Sequence, residues 1–152
     1  MDQTILREAT QQTGAVVMGR RLFDIVDGPH GWSDDMGYGA GEVGTPPFFV
    51  VTHTAPSHVR LNLDFTFVVE GLASAIAQAK AAAGESHVVV MGGGEVVRTC
   101  LDQGHLDELR LHVAPIVLGA GTPLFQGAAR RELVQRDVQD SPHAIHITYG
   151  IA

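Results

Sequence analysis

Three consecutive glycines carry the strongest chemical signal in the sequence. Gly92, Gly93 and Gly94 stand between a largely apolar run, residues 87–91, and a segment with helical periodicity, residues 95–101. Glycine lets the backbone approach a ligand closely, and the first N–H groups of a helix have no partner within the helix. The helix dipole adds partial positive charge at the same end. The junction therefore favours a site for phosphate or pyrophosphate over a tight turn that binds nothing.

The glycine run matches neither of the two common nucleotide-binding motifs. Val97 stands where the dinucleotide fingerprint would place its third spaced glycine, and no Gly-Lys-Ser or Gly-Lys-Thr follows the run. The candidate site consists of the three glycines together with Glu95 and Val96, which open the following helix.

A second junction has the same arrangement and adds positive charge. Gly19, Arg20 and Arg21 follow the apolar residues 15–18 and open a predicted short helix, residues 20–26. Arginine near a helix N-terminus opposes the dipole and costs about a few tenths of a kcal/mol when no anion is present. This conflict points to a phosphate held by forked guanidinium groups. Two solvated arginines explain the same residues equally well.

A third candidate lies at the end of the predicted strand 48–52. Thr52 and His53 occupy its carboxyl end, which is where open α/β sheets place their ligands. There they would meet a ribose phosphate or stack on adenine. The residues alone favour the simpler alternative, a polar strand end without a ligand.

Other chemistries find little support in the sequence. The eight histidines lack metal-ligand spacing, and His143 and His146 are predicted to face opposite sides of a strand, so no metal site is expected. There is no Gly-x-Ser-x-Gly elbow for a serine hydrolase. Cys100 lies within an apolar helical segment and is expected to be a buried small hydrophobe rather than a nucleophile.

Charge and composition exclude further classes of protein. The chain has 152 residues, suits a single domain (1–152), and has a formal net charge of -7, which argues against partners such as nucleic acid or a membrane surface. We predict a cytoplasmic protein, because the sequence has a single cysteine, no recognisable signal peptide and no apolar stretch of about 18 residues.

The periodicity predicts an α/β fold. Helices are expected at residues 4–12, 20–26, 72–83 and 95–101, and strands at 15–18, 48–52, 65–69, 87–91, 109–118, 132–138 and 143–151. Helices and strands alternate in the first part of the chain, and three strands follow at the end. This order predicts a mostly parallel central sheet with antiparallel C-terminal edge strands. Pro115 marks an edge or a bulge in its strand. Residues 27–47 form a long loop in which Trp32 either covers a substrate or pins the loop to the body.

Four segments, taken together, resemble a known family. They read Ala-Val-Val-Met-Gly-Arg-Arg at 15–21, Pro-Phe-Phe-Val-Val-Thr-His at 47–53, Val-Met-Gly-Gly-Gly-Glu at 90–95, and the stretch from Asp-Glu-Leu-Arg-Leu to Gly-Thr-Pro-Leu-Phe at 107–125. In this order they resemble the dihydrofolate reductase family. The resemblance is greatest to the branch related to the reductase domain of the bacterial riboflavin-synthesis deaminase-reductase.

The resemblance implies a three-layer fold with NADPH as cofactor. It implies that residues 92–96 cradle the pyrophosphate and that the Gly92–Gly93 peptide bond is cis. Arg20 and Arg21 would meet the cofactor phosphates, and Thr52 and His53 its adenosine end. Family habit also leads us to expect a homodimer.

The chain departs from the family in two respects. Leu22 replaces the usual threonine after the two basic residues, which removes one hydroxyl contact to phosphate. Family members also begin with a strand and loop that line the substrate site, and this sequence resembles the family only after them. We therefore expect one unpaired position in the sheet and assign no catalytic residue. The acids considered for substrate protonation are Asp2, Glu8, Asp24, Asp34 and Asp35.

Two main hypotheses of function follow. The first is an NADPH-dependent reductase of a small heterocyclic substrate, pteridine-, folate- or pyrimidine-like. The second is a dinucleotide-binding protein without catalytic activity, because the segment lining the substrate site is absent. The glycine junctions argue against a third class, a structural or dimerising module.

Overall fold

A computed structural model describes residues 2–39 and 44–152. The helices are α1 (Asp2–Gln11), α2 (Arg20–Val26), α3 (Leu72–Ala83) and α4 (Gly94–Asp102). The strands are β1 (Thr13–Gly19), β2 (Phe48–Val51), β3 (Phe65–Val68), β4 (His87–Gly92), β5 (Glu108–Val113), β6 (Leu133–Asp140) and β7 (Ile145–Ile151). The predicted α/β class is confirmed, and the described elements follow one another in the predicted order.

Four strands form a parallel sheet in the order β3-β2-β1-β4. The strand β1 lies inside this sheet, and its residues Ala15, Val16, Val17 and Met18 are fully buried. Such a run is expected for a strand that is covered on both faces, because neither face can carry polar side chains.

Alternate residues of β1 contribute to two hydrophobic clusters. Val17 packs with residues of α3 and α4, whereas Val16 and Met18 pack with Phe23 of α2 and Phe48 of β2. Successive side chains of a strand point to opposite faces, so one strand serves both layers of the core. The result is the expected three-layer arrangement of helices, sheet and helix.

The antiparallel strands correct one detail of the prediction. They were expected to extend the edge of the central sheet, but they form a separate three-stranded sheet in the order β5-β7-β6. Since β4 and β5 do not pair, each has one edge without a strand partner in the part of the chain that the structure describes. The unpaired position that the resemblance implies stays a prediction, because every open sheet has two such edges.

Every element boundary lies within two residues of the prediction except the end of β5. Helix α1, for example, begins at Asp2 rather than at residue 4, and β1 begins at Thr13 rather than at residue 15. The strand predicted over residues 109–118 ends at Val113, because Pro115 lacks the N–H that would continue the ladder.

The described part of the long loop is tied to the body of the protein. Trp32 packs against Phe48 with ring centroids 5.8 Å apart. The Arg60 guanidinium donates to the carbonyl oxygens of Asp27 and Trp32, and the Asp27 carboxylate accepts the N–H groups of Arg60 and Leu61. These contacts favour the second interpretation, in which Trp32 pins the loop. The residues 40–43 of the predicted loop lie outside the described residues.

Phe23 offers a test of the core on the α2 side of the sheet. Its buried ring meets Phe65 and Phe67 edge-on at 5.1 and 5.0 Å. We expect Phe23→Ala to lower the free energy of unfolding by about 3–5 kcal/mol in urea denaturation, because a large cavity results.

The control is Ile25→Ala on the same helix, whose side chain is 64% exposed. It should change the free energy of unfolding by no more than about 0.5 kcal/mol. Equal losses in the two variants would contradict the assignment of Phe23 to the core.

Candidate functional site

Three neighbouring strands end together at the carboxyl edge of the parallel sheet. In the register of the strands, Gly19 of β1 lies opposite Val51 of β2, and Met18 of β1 lies opposite Gly92 of β4. The candidate residues that follow these strands are therefore neighbours in space, although they are far apart in sequence. Open parallel sheets bind their ligands at this edge.

Both helices that begin at this edge lack a side-chain cap in the part of the chain that the structure describes. Gly19 is the N-cap of α2 and Gly93 is the N-cap of α4, and neither has a side chain that could accept a capping hydrogen bond. Helix α4 is nine residues long, so its aligned peptide dipoles favour an anion at Gly93 and Gly94.

Glycine is required where the two helix openings approach each other. A Cβ atom on Gly19 would lie 2.9 Å from Val96 Cγ2 and 3.7 Å from the carbonyl oxygen of Gly92. Gly92 has φ +129°, a conformation that L residues rarely adopt. Val96 thus packs against the first opening, and its side chain acts as a spacer between α2 and α4.

The outer side of the α4 opening is accessible. Gly93 is exposed, and a Cβ atom built on it would meet no other atom within 4 Å. The Gly92–Gly93 peptide bond is cis, as the resemblance implied. Glu95 is exposed in the first turn, where its carboxylate complements the helix dipole but would repel a phosphate placed beside it.

Arg20 and Thr52 are brought together, but they bind each other. Arg20 Nη1 donates to Thr52 Oγ1 at 3.1 Å and to the carbonyl oxygen of Thr54 at 2.6 Å, and its Nε donates to Asp24 at 2.8 Å. Thr52 is 8% exposed, and its hydroxyl donates to the carbonyl oxygen of Thr54. Both side chains are thus used to join α2 to the end of β2.

Arg21 and His53 have more freedom than their neighbours. Both side chains are exposed, and Arg21 makes no hydrogen bond or ion pair to the residues that the structure describes. Arg21 and Arg20 are adjacent in sequence but point about 100° apart on the helix. Among the described residues, Arg21 therefore keeps all of its donors, whereas Arg20 keeps only those of Nη2.

One wall of the site did not follow from the sequence. The sequence predicts a turn without phosphate geometry at residues 119–123, yet the residues that directly follow it pack beside the start of α4. A Cβ atom on Gly94 would lie 3.7 Å from Leu124 Cδ1, and Arg98 donates to the carbonyl oxygen of Gln126. No local signal in the sequence indicated this contact, because a Cβ atom at 3.7 Å is in ordinary van der Waals contact and does not require glycine.

Metal and thiol chemistry find no support among the described residues. No group of three or more histidine, cysteine, aspartate or glutamate side chains is arranged to hold a metal ion in residues 2–39 and 44–152. Cys100 is buried, and burial raises the pKa of its thiol to about 11, so it stays protonated and packs as a small hydrophobe. Within the same residues, no helix has the length and apolar character needed to span a bilayer.

The sequence matches one protein family over most of its length. Residues 1–147 match the family described as the RibD C-terminal domain. A stretch of 60 residues is 38% identical to the protein YwjB of Bacillus subtilis strain 168, which is described as uncharacterized. That stretch covers 40% of this chain and 34% of YwjB, so the match spans about a third of that relative.

Solved structures share the fold at low sequence identity. A putative riboflavin biosynthesis protein from Shewanella sp. PV-4 aligns with a TM-score of 0.71 and 22% identity over 95% of this chain and 77% of its own. A pyrimidine reductase-like protein from Corynebacterium diphtheriae aligns with a TM-score of 0.61 and 18% identity, covering 99% of this chain and 81% of its own. The riboflavin biosynthesis reductase of Saccharomyces cerevisiae gives 0.60 and 15%, covering 99% and 80%.

Gly19 and Val96 test the contact between the two helix openings. We expect Gly19→Ala to lower the free energy of unfolding by about 1–3 kcal/mol, because the added methyl group overpacks against the stiff Val96 side chain.

The double variant Gly19→Ala with Val96→Ala should recover part of that loss, since the second change removes the clashing methyl group. Urea denaturation of the wild type, both single variants and the double variant gives the coupling energy. Strictly additive effects would show that the two residues are not in contact.

Proposed function

The chain belongs to the RibD C-terminal domain family and has a dihydrofolate reductase-like fold, and we propose that it is an NADPH-dependent reductase of a small heterocyclic substrate. The substrate class is pteridine-, folate- or pyrimidine-like. The observation that carries the proposal is the pair of adjoining glycine openings at the edge of the parallel sheet, one of which, at Gly93, is exposed and uncapped.

The residues at this edge fit a dinucleotide with several phosphates. The amides at Gly93 and Gly94 would hold the pyrophosphate, Arg21 the additional phosphate of NADPH, and His53 the adenosine end. A nicotinamide cofactor supplies the hydride when bound, and the protein supplies binding and orientation. Arg20 stays a predicted phosphate ligand, and with Thr52 it also joins the end of β2 to α2.

Charge also bears on the cofactor. The chain has a formal net charge of -7, so its overall field repels a polyanion and the attraction must be local. Main-chain amides supply that attraction without adding cations, and Arg21 adds one guanidinium with free donors. Arginine suits this role because its planar fork matches two phosphate oxygens.

Arg21 provides the test of the cofactor assignment. We expect Arg21→Gln to weaken NADPH binding by about 10- to 100-fold, the loss of one charge-assisted contact, and to change NADH binding far less. Cofactor fluorescence measures both affinities. The control is Arg130→Gln, a change at an arginine whose side chain is 86% exposed and which lies far along the chain from the helix openings.

Three outcomes separate the hypotheses. No NADPH or NADP binding at high micromolar concentration contradicts both the reductase and the dinucleotide-binding protein. Binding without NADPH oxidation across folate-, pteridine- and pyrimidine-like compounds favours the non-catalytic alternative. Equal losses for NADPH and NADH in Arg21→Gln contradict the phosphate assignment of Arg21. The homodimer stays a prediction, which sedimentation equilibrium measures directly.

A further inference from the structure

A polar cleft of about 200 Å³ lies between α1 and the face of the antiparallel sheet. Its lining includes Glu8 of α1, His112 of β5, Gln139 of β6, and His146 and Thr148 of β7. None of these residues belongs to the glycine site. In chain order, α1 precedes β1 and β5 follows α4, the strand and the helix that meet at the glycine openings.

Two histidines meet in this cleft. The antiparallel register places His112 directly opposite His146, and their Nδ1 atoms are 2.6 Å apart. The other ring nitrogen of His146, Nε2, lies 2.9 Å from Asp2 Oδ1 at the start of α1. Asp2, His146 and His112 therefore form a continuous hydrogen-bonded chain, which we call the relay.

The chemistry of each group fixes where the hydrogens lie. The Asp2 carboxylate only accepts, so His146 Nε2 carries a hydrogen. When His146 is neutral, its Nδ1 accepts from His112 Nδ1, and His112 Nε2 is left with a basic lone pair. A proton that arrives at His112 Nε2 lets the Nδ1 hydrogen of His112 move to His146. Asp2 then stabilises the charged imidazolium of His146.

The surroundings favour a carboxylate at Asp2 and a neutral ring at His112. Hydrogen bonds from Ser141 and from His146 lower the pKa of Asp2, so it stays a carboxylate. Partial desolvation, and then the charges of His146 and Arg110, lower the pKa of His112, while Asp2 opposes them. The other charged or titratable groups that face the relay are Glu8 of α1, Asp137 of β6 and His143 in the turn before β7.

The cleft also offers a hydrogen-bonding edge to a planar ligand. Gln139 uses one N–H on Asp137, at 2.7 Å, and keeps its amide oxygen and second N–H. The Thr148 hydroxyl lies in the same lining. A donor and an acceptor side by side match the N–H and C=O edge of an oxo-heterocycle.

We propose that His112 is the residue that exchanges a proton with a heterocyclic ligand bound in this cleft, with Asp2 and His146 as its positioning residues. The ligand is an oxo-heterocycle with a reducible C=N bond. This inference rests on the proposed reductase function and assigns the acid that the sequence left open. Among the acids considered there, Asp2 acts through the two histidines rather than on the substrate.

The step balances in atoms and electrons. A bound nicotinamide cofactor would supply hydride to the carbon of the C=N bond, and the π electrons of that bond would move to nitrogen. That nitrogen takes the hydrogen from His112 Nε2, and His112 Nδ1 regains a hydrogen from His146. The ligand is reduced by two electrons, the nicotinamide is oxidised, and solvent restores the proton to the relay.

The relay itself is tested without any ligand, by NMR titration of the histidine side chains. His146→Gln removes the imidazole that lowers the pKa of His112 and should raise that pKa. Asp2→Asn removes the carboxylate that raises the pKa of His112, so this variant should have a His112 pKa below that of the wild type. His58→Gln, at an exposed histidine outside the cleft, should leave it unchanged. If His112 titrates alike in the wild type, His146→Gln and Asp2→Asn, the relay is overturned.

The ligand is tested with three named probes, dihydrofolate, pterin and 5-aminouracil, each with and without NADP. We expect at least one probe to shift the His112 and Thr148 resonances, and His112→Gln to weaken its binding or alter its pH dependence. The NADPH affinity of His112→Gln should stay within about twofold, because the cofactor binds at the glycine openings. For a probe that oxidises NADPH, kcat should fall about 10²- to 10⁴-fold in His112→Gln and stay unchanged in His58→Gln.

The outcomes distinguish this inference from the proposed function. If NADPH binds and is oxidised with a probe, but the probe leaves His112 unshifted, the role of His112 is overturned and the reductase stands. If a probe shifts the His112 resonance but no cofactor binds, the proposed reductase function is contradicted, and ligand binding in the cleft is supported. A loss of kcat in His112→Gln without change in the pH profile also overturns proton exchange.

Discussion

The close approach of two helix openings is the constraint on which the candidate site depends. Gly19 leaves only enough room for the side chain of Val96, so β1 and β4 can deliver α2 and α4 to one edge of the sheet. A larger residue at Gly19 would push the openings apart and separate their unpaired amides. The fully buried residues of β1 support the same arrangement, because their apolar side chains let helices pack on both faces of that strand.

Local features of the sequence predicted much of this arrangement. The apolar run at 15–18 can only be a covered strand, and the alanine-rich residues 72–83 can hardly be anything but a helix. The glycine junction at residues 92–94 was recognisable because three consecutive glycines destabilise regular structure, so their presence between a strand and a helix indicates a close approach of the backbone. The resemblance then supplied the three-layer fold and the cis peptide bond at Gly92–Gly93, neither of which follows from periodicity.

What escaped prediction depends on pairing between distant residues. Nothing near His112 in the sequence indicates that His146 faces it, since that contact is set by the register of β5 and β7. The same holds for Arg20, whose contacts with Thr52 and Thr54 join segments that lie far apart in the sequence. The division into two sheets is likewise a matter of which strand edges meet, and strand patterns do not encode that choice.

The division has a consequence for how the molecule opens. Since no strand pairing joins the four-stranded sheet to the three-stranded one in the described residues, the two sheets lack a shared ladder of amides. Proteins open in contiguous cooperative units, and such a boundary is where two units separate. All residues of β6 are exposed, and we expect its amide hydrogens to exchange with solvent much faster than those of β1.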